Sequence, residues 1–332
     1  FGSGASNNIL GFATPECADF DSAVITESIA ALNGKFVGGI STAGNREISV
    51  SDFNAVFIHE FGHYFNLDHS QINLLEAFDG DPSNDNAVAT MFPFLVNGAE
   101  ASTLSLDDEV SVSTLYPESA FSTSFGAISG TIFLSDATTP FQGAYVIARQ
   151  VGDPRVSAVG VASGARYFPG NSGGSPPASL RGLYEISGLS PGSYTVEIEE
   201  IDSMFRGGSR VGPLDPPAQL PGPPEFWNGA NEAFTNPPDD PTESVPLVVL
   251  AGVTDGGTVS DWTFPKFCLI NSKKRNPDQG TALHEMIHAA KTVWISHDTD
   301  QKSVYSAGQS RTILPPQHAE TLANGFFGSP RR

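Results

Sequence analysis

The sequence predicts an α+β domain over residues 1–120, an all-β sandwich over residues 121–265 and a short, partly helical tail over residues 266–332. Three observations predict this order. Apolar side chains recur at helical spacing in the first part, whereas after Phe125 they alternate with polar ones between Gly- and Pro-rich turns. The balance of charge then reverses near residue 266, which indicates the last boundary.

The chain is strongly acidic, with 37 acidic and 17 basic residues among its 332. Before Lys266, 32 acidic and 8 basic residues give a balance of −24, and the remainder has a balance of +4. A nucleic-acid partner is not expected, because phosphate binding needs clustered Lys and Arg. The carboxylate excess is typical of secreted proteins and of proteins that bind calcium.

Two cysteines, Cys17 and Cys268, exclude a disulfide framework but leave open both a single long-range bridge and two free thiols. No apolar run reaches the roughly 18 residues of a membrane span, so a transmembrane segment is not expected. The chain begins at Phe1 without a basic-then-apolar signal. We therefore expect that the start of the encoded protein is missing or processed away.

Helical spacing predicts a helix over residues 52–67 with Asp52 as its N-cap. A second helix is predicted over residues 104–116 with Ser105 as its N-cap. Its first turn, where negative charge is favoured, would hold three acids: Asp107, Asp108 and Glu109. The same acids are equally typical of a solvated helix start.

Strand patterns flank the first helix and fill the predicted sandwich. They cover residues 9–13 and 25–32, then 126–134, 144–148, 194–199, 245–250 and 258–264. A further helix is predicted in the tail over residues 282–293.

Residues 59–69 read His-Glu-Phe-Gly-His-Tyr-Phe-Asn-Leu-Asp-His. His59 and His63 stand four residues apart, so their imidazoles share one helical face and can hold one ion. His69 can reach that ion only if the chain turns sharply after the helix. Asn66 is suited to the left-handed conformation that such a turn uses.

Three nitrogen ligands leave a fourth position for water, as in a catalytic zinc site. Glu60, next to the first ligand, is placed to take the proton from that water. The block resembles metzincins, and His69-Ser70 resembles the matrixin branch. Ala89-Thr-Met-Phe-Pro resembles the Met-turn beneath the zinc, with Met91 as its methionine. Residues 103–116 resemble the final matrixin helix.

The resemblance covers residues 8–120 and implies a secreted zinc-dependent endopeptidase, a hydrolase acting on protein or peptide substrates. Only 58 residues precede His59, fewer than a matrixin domain has, so the domain is predicted to be N-terminally incomplete. Pro93 stands where some metzincins have a tyrosine, which leaves the oxyanion and proton chemistry to zinc and Glu60. Residues 92–96 are expected to wall the pocket for an apolar side chain.

Three acids lie in the loop between His69 and Met91: Asp79, Asp81 and Asp85. A calcium site is one interpretation of them, and a solvated acidic turn is the other.

Residues 182–197 resemble the carboxypeptidase regulatory-like, transthyretin-like β-sandwich. That resemblance implies an architecture and no chemistry. A spacer, a surface-adhesion module and a substrate-docking domain stay open, and any contact with a cell surface or extracellular matrix would go through this sandwich.

A second motif, His284-Glu-Met-Ile-His288, lies in the tail. Trp294 stands six residues after it, which does not fit a metzincin. The segment weakly resembles aspzincin (deuterolysin-like) peptidases, which implies Glu285 as the base and Asp298 or Asp300 as the third ligand. A fortuitous match is the other interpretation.

Two hypotheses compete with a protease that works through Glu60. The chain could be a non-enzymatic surface or assembly protein, with a truncated metzincin scaffold and a sandwich that serve binding. Alternatively, the chemistry could lie at His284, Glu285 and His288.

Overall fold

The computed structural model describes residues 9–19, 24–40, 47–134, 136, 138–163, 181–202, 220–221, 224–229, 241–251 and 266–269. Helices and strands are mixed, as predicted, and the strands form several sheets. The predicted strand at 258–264 and the predicted helix at 282–293 lie outside the described residues.

The first helix, α1, spans Val50–Tyr64. Its N-cap is Ser49, whose hydroxyl accepts from the Asp52 N–H at 3.1 Å while the Asp52 carboxylate accepts from the Ser49 N–H at 3.1 Å. The prediction of Asp52 as the N-cap is therefore wrong by three positions. Asp52 forms the other half of a capping box, which satisfies two backbone donors at once.

A two-stranded antiparallel sheet lies against α1. Its strands are β1, Gly11–Asp19, and β2, Val24–Leu32. The Ser28 hydroxyl donates to the Tyr64 carbonyl at 2.9 Å, which ties β2 to the end of the helix.

A buried loop region connects α1 to the second helix, α2, which spans Leu106–Leu115. Three short 3₁₀ turns interrupt the loop: Glu76–Phe78, Asp85–Ala87 and Glu100–Ser102. Ser105 is the N-cap of α2, as predicted, and a short helix, α3, follows at Phe121–Ser124.

Within the part of the chain that the structure describes, eight strands follow α3. They are β3 Gly126–Leu134, β4 Ala144–Gln150, β5 Ala158–Ala162, β6 Leu183–Leu189, β7 Gly192–Glu200, β8 Glu225–Phe226, β9 Leu247–Val249 and β10 Lys266–Leu269. A three-stranded sheet has the order β10-β3-β6, with β10 parallel to β3. A five-stranded sheet has the order β5-β4-β7-β8, and β9 also pairs with β7.

Strands β4 and β5 of the five-stranded sheet are buried on both faces, and their period-two side chains join two different cores. On one face, Val146, Val196 and Ile198 share a core with Ile128 and Ile186 of the three-stranded sheet. The opposite face packs on the loop region that follows α1. That second core contains Tyr145 and Ile147 from β4, Ala158 and Ala162 from β5, and Ile72, Leu74, Val88, Ala89 and Phe92 from the loop region.

Among the described residues, no helix combines the length and apolar character needed to cross a membrane. Cys17 is a free, exposed thiol.

Candidate metal centre

The three histidines of the sequence motif lie together. Nε2 of His63 is 3.1 Å from Nε2 of His59 and 3.1 Å from Nε2 of His69. The ligand atoms all lie within 4.8 Å of one another, and no other described set of three His, Cys, Asp or Glu side chains does so. A tetrahedral ion with bonds of about 2.1 Å requires nitrogen–nitrogen separations of about 3.4 Å. The triad could therefore hold a metal ion.

The turn after α1 brings the third histidine to the other two. Asn66 has φ 69°, in the left-handed region, which confirms the predicted turn residue. The Leu67 N–H donates to the Gly62 carbonyl at 2.9 Å, and the Asn66 N–H donates to the His63 carbonyl at 2.9 Å. This pair of bonds is a Schellman motif, which ends the helix and reverses the chain.

Backbone carbonyls fix the tautomers of the two helical histidines. Nδ1 of His59 lies 2.8 Å from the Thr90 carbonyl, and Nδ1 of His63 lies 2.8 Å from the Leu67 carbonyl. A carbonyl only accepts, so each Nδ1 carries the proton and each Nε2 presents a lone pair. Two lone pairs that face each other at 3.1 Å repel unless a cation lies between them.

Burial also keeps the imidazoles neutral, because it disfavours their charged form. It lowers the pKa of His63 to about 3, and it lowers the pKa of His59 and that of His69. Neutral imidazole is the form that binds a metal. The three histidines therefore favour coordination of a metal ion over protonation.

Glu60, which follows His59 in the sequence, is buried, with 6 % of its surface exposed. A β-carbon at Gly11 of β1 would lie 2.8 Å from the Glu60 Cγ, so the backbone of that strand covers the carboxyl group. Its Oε2 atom has no hydrogen-bond partner among the residues that the structure describes. Burial raises the pKa of Glu60 to about 8. An unpaired buried carboxylate oxygen is costly, which is typical of a group that receives its partner from a bound ion, water or substrate.

The turn over residues 89–93, here called the methionine turn, lies beneath α1. Met91 is 2 % exposed, and a β-carbon at Gly62 would overlap its sulfur. The Thr90 carbonyl accepts from His59, and the Met91 carbonyl accepts from the Ser70 N–H at 2.9 Å. This turn therefore contacts the helical ligand His59 through Thr90, and the segment that follows His69 through Met91.

Two buried aspartates, missed as functional residues by the sequence analysis, hold this arrangement. Asp108 accepts from the N–H groups of Thr90 at 2.9 Å and Met91 at 3.1 Å. Asp107 and Asp108 are 2 % and 1 % exposed, so the solvated-start interpretation is wrong for both. The Ser-x-x-Asp spacing is a signal for the cap that Asp108 completes, but its bonds to the methionine turn are long-range.

The acids of the loop between His69 and Met91 have hydrogen-bond partners in that loop and just beyond it. Asp79 accepts from the Asp81 N–H at 2.7 Å and from the Asn84 amide at 2.7 Å. Asp85 accepts from the Asn97 amide at 3.0 Å. Calcium binding here stays a prediction.

The phenylalanines after Met91 form a cluster with Phe78. The ring centroids of Phe92 and Phe94 lie 5.8 Å apart, and those of Phe78 and Phe92 also lie 5.8 Å apart. Phe92 is 2 % exposed and belongs to the second core. Its ring therefore serves the packing on the five-stranded sheet, and the predicted role of residues 92–96 in a substrate pocket stays a prediction.

The tail motif, with His284, Glu285, His288 and Asp300, lies outside the described residues. The chain matches no protein-family model, no curated protein and no solved structure. Its function must therefore be argued from the geometry and chemistry of the site.

Proposed function

We propose that this protein is a secreted zinc-dependent endopeptidase of the metzincin type. The observation that carries the proposal is the convergence of three neutral imidazoles, together with a buried carboxyl group at the position after the first of them, Glu60, whose Oε2 atom is unpaired among the described residues. Three imidazole nitrogens suit zinc, and three protein ligands are the number found at catalytic zinc sites. Structural zinc sites use four ligands.

His59, His63 and His69 would hold the zinc, which when bound lowers the pKa of a coordinated water and polarises a peptide carbonyl. Glu60 would take a proton from the attacking water at Oε2 and pass it to the leaving amine. Its raised pKa of about 8 is compatible with both transfers, because a carboxyl group whose pKa lies near the working pH can both accept and release a proton. A cation on the histidines would favour the carboxylate form and oppose that shift.

The architecture supports the matrixin-like assignment in three features. The chain reverses after α1 at Asn66, Met91 packs beneath the helix at Gly62, and α2 binds the methionine turn through Asp108. We further propose that the three- and five-stranded sheets are the predicted carboxypeptidase regulatory-like β-sandwich. The core that they share supports this assignment.

A second candidate is a non-enzymatic binding protein that keeps the metal. Two observations favour it: the described residues place only a two-stranded sheet against α1, and the backbone of Gly11 covers Glu60. In this case the metal would stabilise the scaffold without hydrolysis.

Zinc content and peptide cleavage, measured on the wild type and on Glu60→Gln, distinguish the two candidates. The protease predicts one zinc at the triad in both proteins and a loss of cleavage of about 10²–10⁴-fold in Glu60→Gln, the range for a general acid–base group. Cleavage that is absent, or unchanged by the substitution, with zinc retained would favour the binding protein. Wild-type protein that binds no zinc when prepared without chelator would rule out both.

A further inference from the structure

The three candidate ligands differ in how their rings are held. His59 and His63 each have an Nδ1 bond to a backbone carbonyl. Among the described residues, the only polar atom within hydrogen-bonding distance of the His69 ring is the candidate ligand atom Nε2 of His63, at 3.1 Å. The direction of its imidazole therefore depends on the backbone on either side of it, and on the C-terminal side that backbone is residues 70–74.

Gln71, two residues after His69, is completely buried and uses both ends of its amide on the end of β7. Its Nε2 donates to the Glu199 carboxylate at 2.7 Å and to the Glu200 carbonyl at 3.1 Å. Its Oε1 accepts from the Asp202 N–H at 3.1 Å. These partners lie 128–131 positions away in sequence.

Ser70 connects the same segment to β4 and β5. Its hydroxyl donates to Asp107 at 2.6 Å and lies 3.4 Å from the Tyr145 hydroxyl of β4. The other oxygen of the Asp107 carboxylate accepts from the Gly160 N–H of β5 at 2.8 Å. Asp107 therefore bridges Ser70 to the five-stranded sheet.

Asn73 makes the last of these connections. It has φ 55°, in the left-handed region, and its amide donates to the carbonyls of Ala87 and Arg155 at 2.7 and 2.9 Å. Arg149 of β4 donates to the Asn73 amide oxygen at 2.7 Å. Buried polar groups that are fully paired hold one conformation, because any alternative leaves donors and acceptors unpaired away from water.

We propose that the five-stranded sheet is part of the scaffold of the metal centre, and that Gln71 and Glu199 are positioning residues for His69. The sheet fixes the backbone that follows His69. This backbone orients the His69 ring, as the bonds from Nδ1 to a carbonyl orient the rings of His59 and His63. Outer groups that orient a metal ligand typically change metal affinity by about 10- to 100-fold when they are removed. The inference deepens the proposed function and depends on it only for the presence of a metal at the triad.

The test compares metal affinity in full-length variants, by chelator competition with Zn²⁺ and by titration with Co²⁺, whose visible spectrum reports coordination geometry. Gln71→Leu keeps the side-chain volume and removes all three bonds, the two to β7 and the one from Asp202. We expect a 10- to 100-fold weaker affinity and an altered Co²⁺ spectrum. Val196→Ala, on the opposite face of β7, is the control for general destabilisation, because it should lower the melting temperature and leave affinity and spectrum unchanged.

A second pair of variants tests the contact from the side of the sheet. Glu199→Leu removes the acceptor for Gln71 and should weaken metal binding, whereas Glu199→Gln retains an acceptor oxygen and should bind as the wild type does. Circular dichroism confirms that each variant is folded before affinities are compared.

Wild-type affinity and spectrum in both Gln71→Leu and Glu199→Leu would overturn the inference. Equal losses in Glu199→Leu, Glu199→Gln and Val196→Ala would also overturn it, because the effect would then be general. If the wild type binds metal but cleaves no peptide, the proposed activity fails while these comparisons still decide the role of the sheet. Absence of metal from the wild type would overturn both.

Discussion

The two histidines of α1 and the single histidine of the following loop are held by different kinds of structure. The helix places His59 and His63 on one face by its own periodicity, and nearby carbonyls orient their rings. His69 has no such repeat to place it. Its neighbours Ser70 and Gln71 are fixed by α2 and by the five-stranded sheet.

The site therefore has two halves. The helical half, His59 and His63, is positioned by local structure, and the loop half, His69, is positioned by tertiary structure. A helical pair of ligands forms wherever the helix forms. We infer that the loop ligand reaches its place only when the five-stranded sheet has folded against residues 70–92, with which it shares the second core. The methionine turn joins the halves, because Thr90 contacts His59 and Met91 contacts Ser70.

The largest expected effect is the loss of metal from His63→Ala. Nε2 of His63 lies 3.1 Å from Nε2 of both other ligands, so it is the central ligand of the three. Its removal leaves only two imidazoles to bind the metal. We expect stoichiometric zinc in the wild type and none in the variant, measured by elemental analysis per chain. His288→Ala is the matched control and should keep this zinc. Two zinc ions, each lost with its own histidine, would indicate a second centre in the tail.

The next effect concerns the contact between the helix and the methionine turn. Gly62→Ala would gain about 1 kcal/mol of helix propensity, but its β-carbon overlaps the buried Met91 sulfur. Overpacking typically costs about 1–3 kcal/mol, so we expect a net loss of up to about 2 kcal/mol in the free energy of unfolding. Denaturant titration measures it, and Asn54→Ala, at an exposed position of the same helix, should cause no loss.

A double variant makes this prediction specific. In a Met91→Ala background the β-carbon at position 62 has space, so Gly62→Ala should become neutral or stabilising. Additive losses in the double variant would show that the two side chains are not coupled, against the packing described above.

The sequence was sufficient for the parts of the site that are local. The ligand spacing, the left-handed Asn66 and the Ser105 cap follow from short-range rules, and the structure has each of them. Even the error at Asp52 is local, because Ser49 and Asp52 both satisfy the pattern of an N-cap and only the backbone distinguishes them.

The remaining parts depend on pairs of residues that are distant in sequence. Nothing near Gln71 indicates that its amide meets β7, and nothing near Asp107 indicates a bond to β5. The strand β5, Ala158–Ala162, was missed because five small apolar residues carry no alternation. Its burial on both faces, with Val159 in one core and Ala158 in the other, explains the absent pattern.

The next prediction concerns the pH dependence of stability, which should come from the sheet that holds the loop ligand. Burial raises the pKa of Glu199 to about 7, above the value of about 4.3 for an unfolded chain. The folded state therefore holds this proton more tightly, and stability is lost as the pH rises from about 4 to 7. Glu199→Gln keeps the acceptor for Gln71 and removes the charge, so it should be more stable than the wild type at pH 8.

The two proteins should be equally stable near pH 4, where Glu199 is protonated in both states. Thermal unfolding between pH 4 and 8 measures the difference, and Glu109→Gln, at an exposed position of α2, serves as the control. If the stability difference between Glu199→Gln and the wild type were the same at every pH in this range, the charge of Glu199 would not be its cause.

The smallest effect lies at Asn66, where the helical half of the site becomes the loop half. Its φ of 69° is accessible to Gly without strain and costs other residues about 1 kcal/mol or more. We expect Asn66→Gly to leave the free energy of unfolding within about 0.5 kcal/mol of the wild type, and Asn66→Ala to lower it by about 1 kcal/mol. Denaturant titration measures both.

Zinc content should stay at one ion per chain in both Asn66 variants, because the sheet continues to hold the backbone after His69. If Asn66→Ala lost zinc while it remained folded, the turn itself would place the third ligand, and the contrast between a helical half and a sheet-held half would fail. If zinc is retained and stability is lowered, the turn contributes to the stability of the fold, and the sheet determines the position of His69.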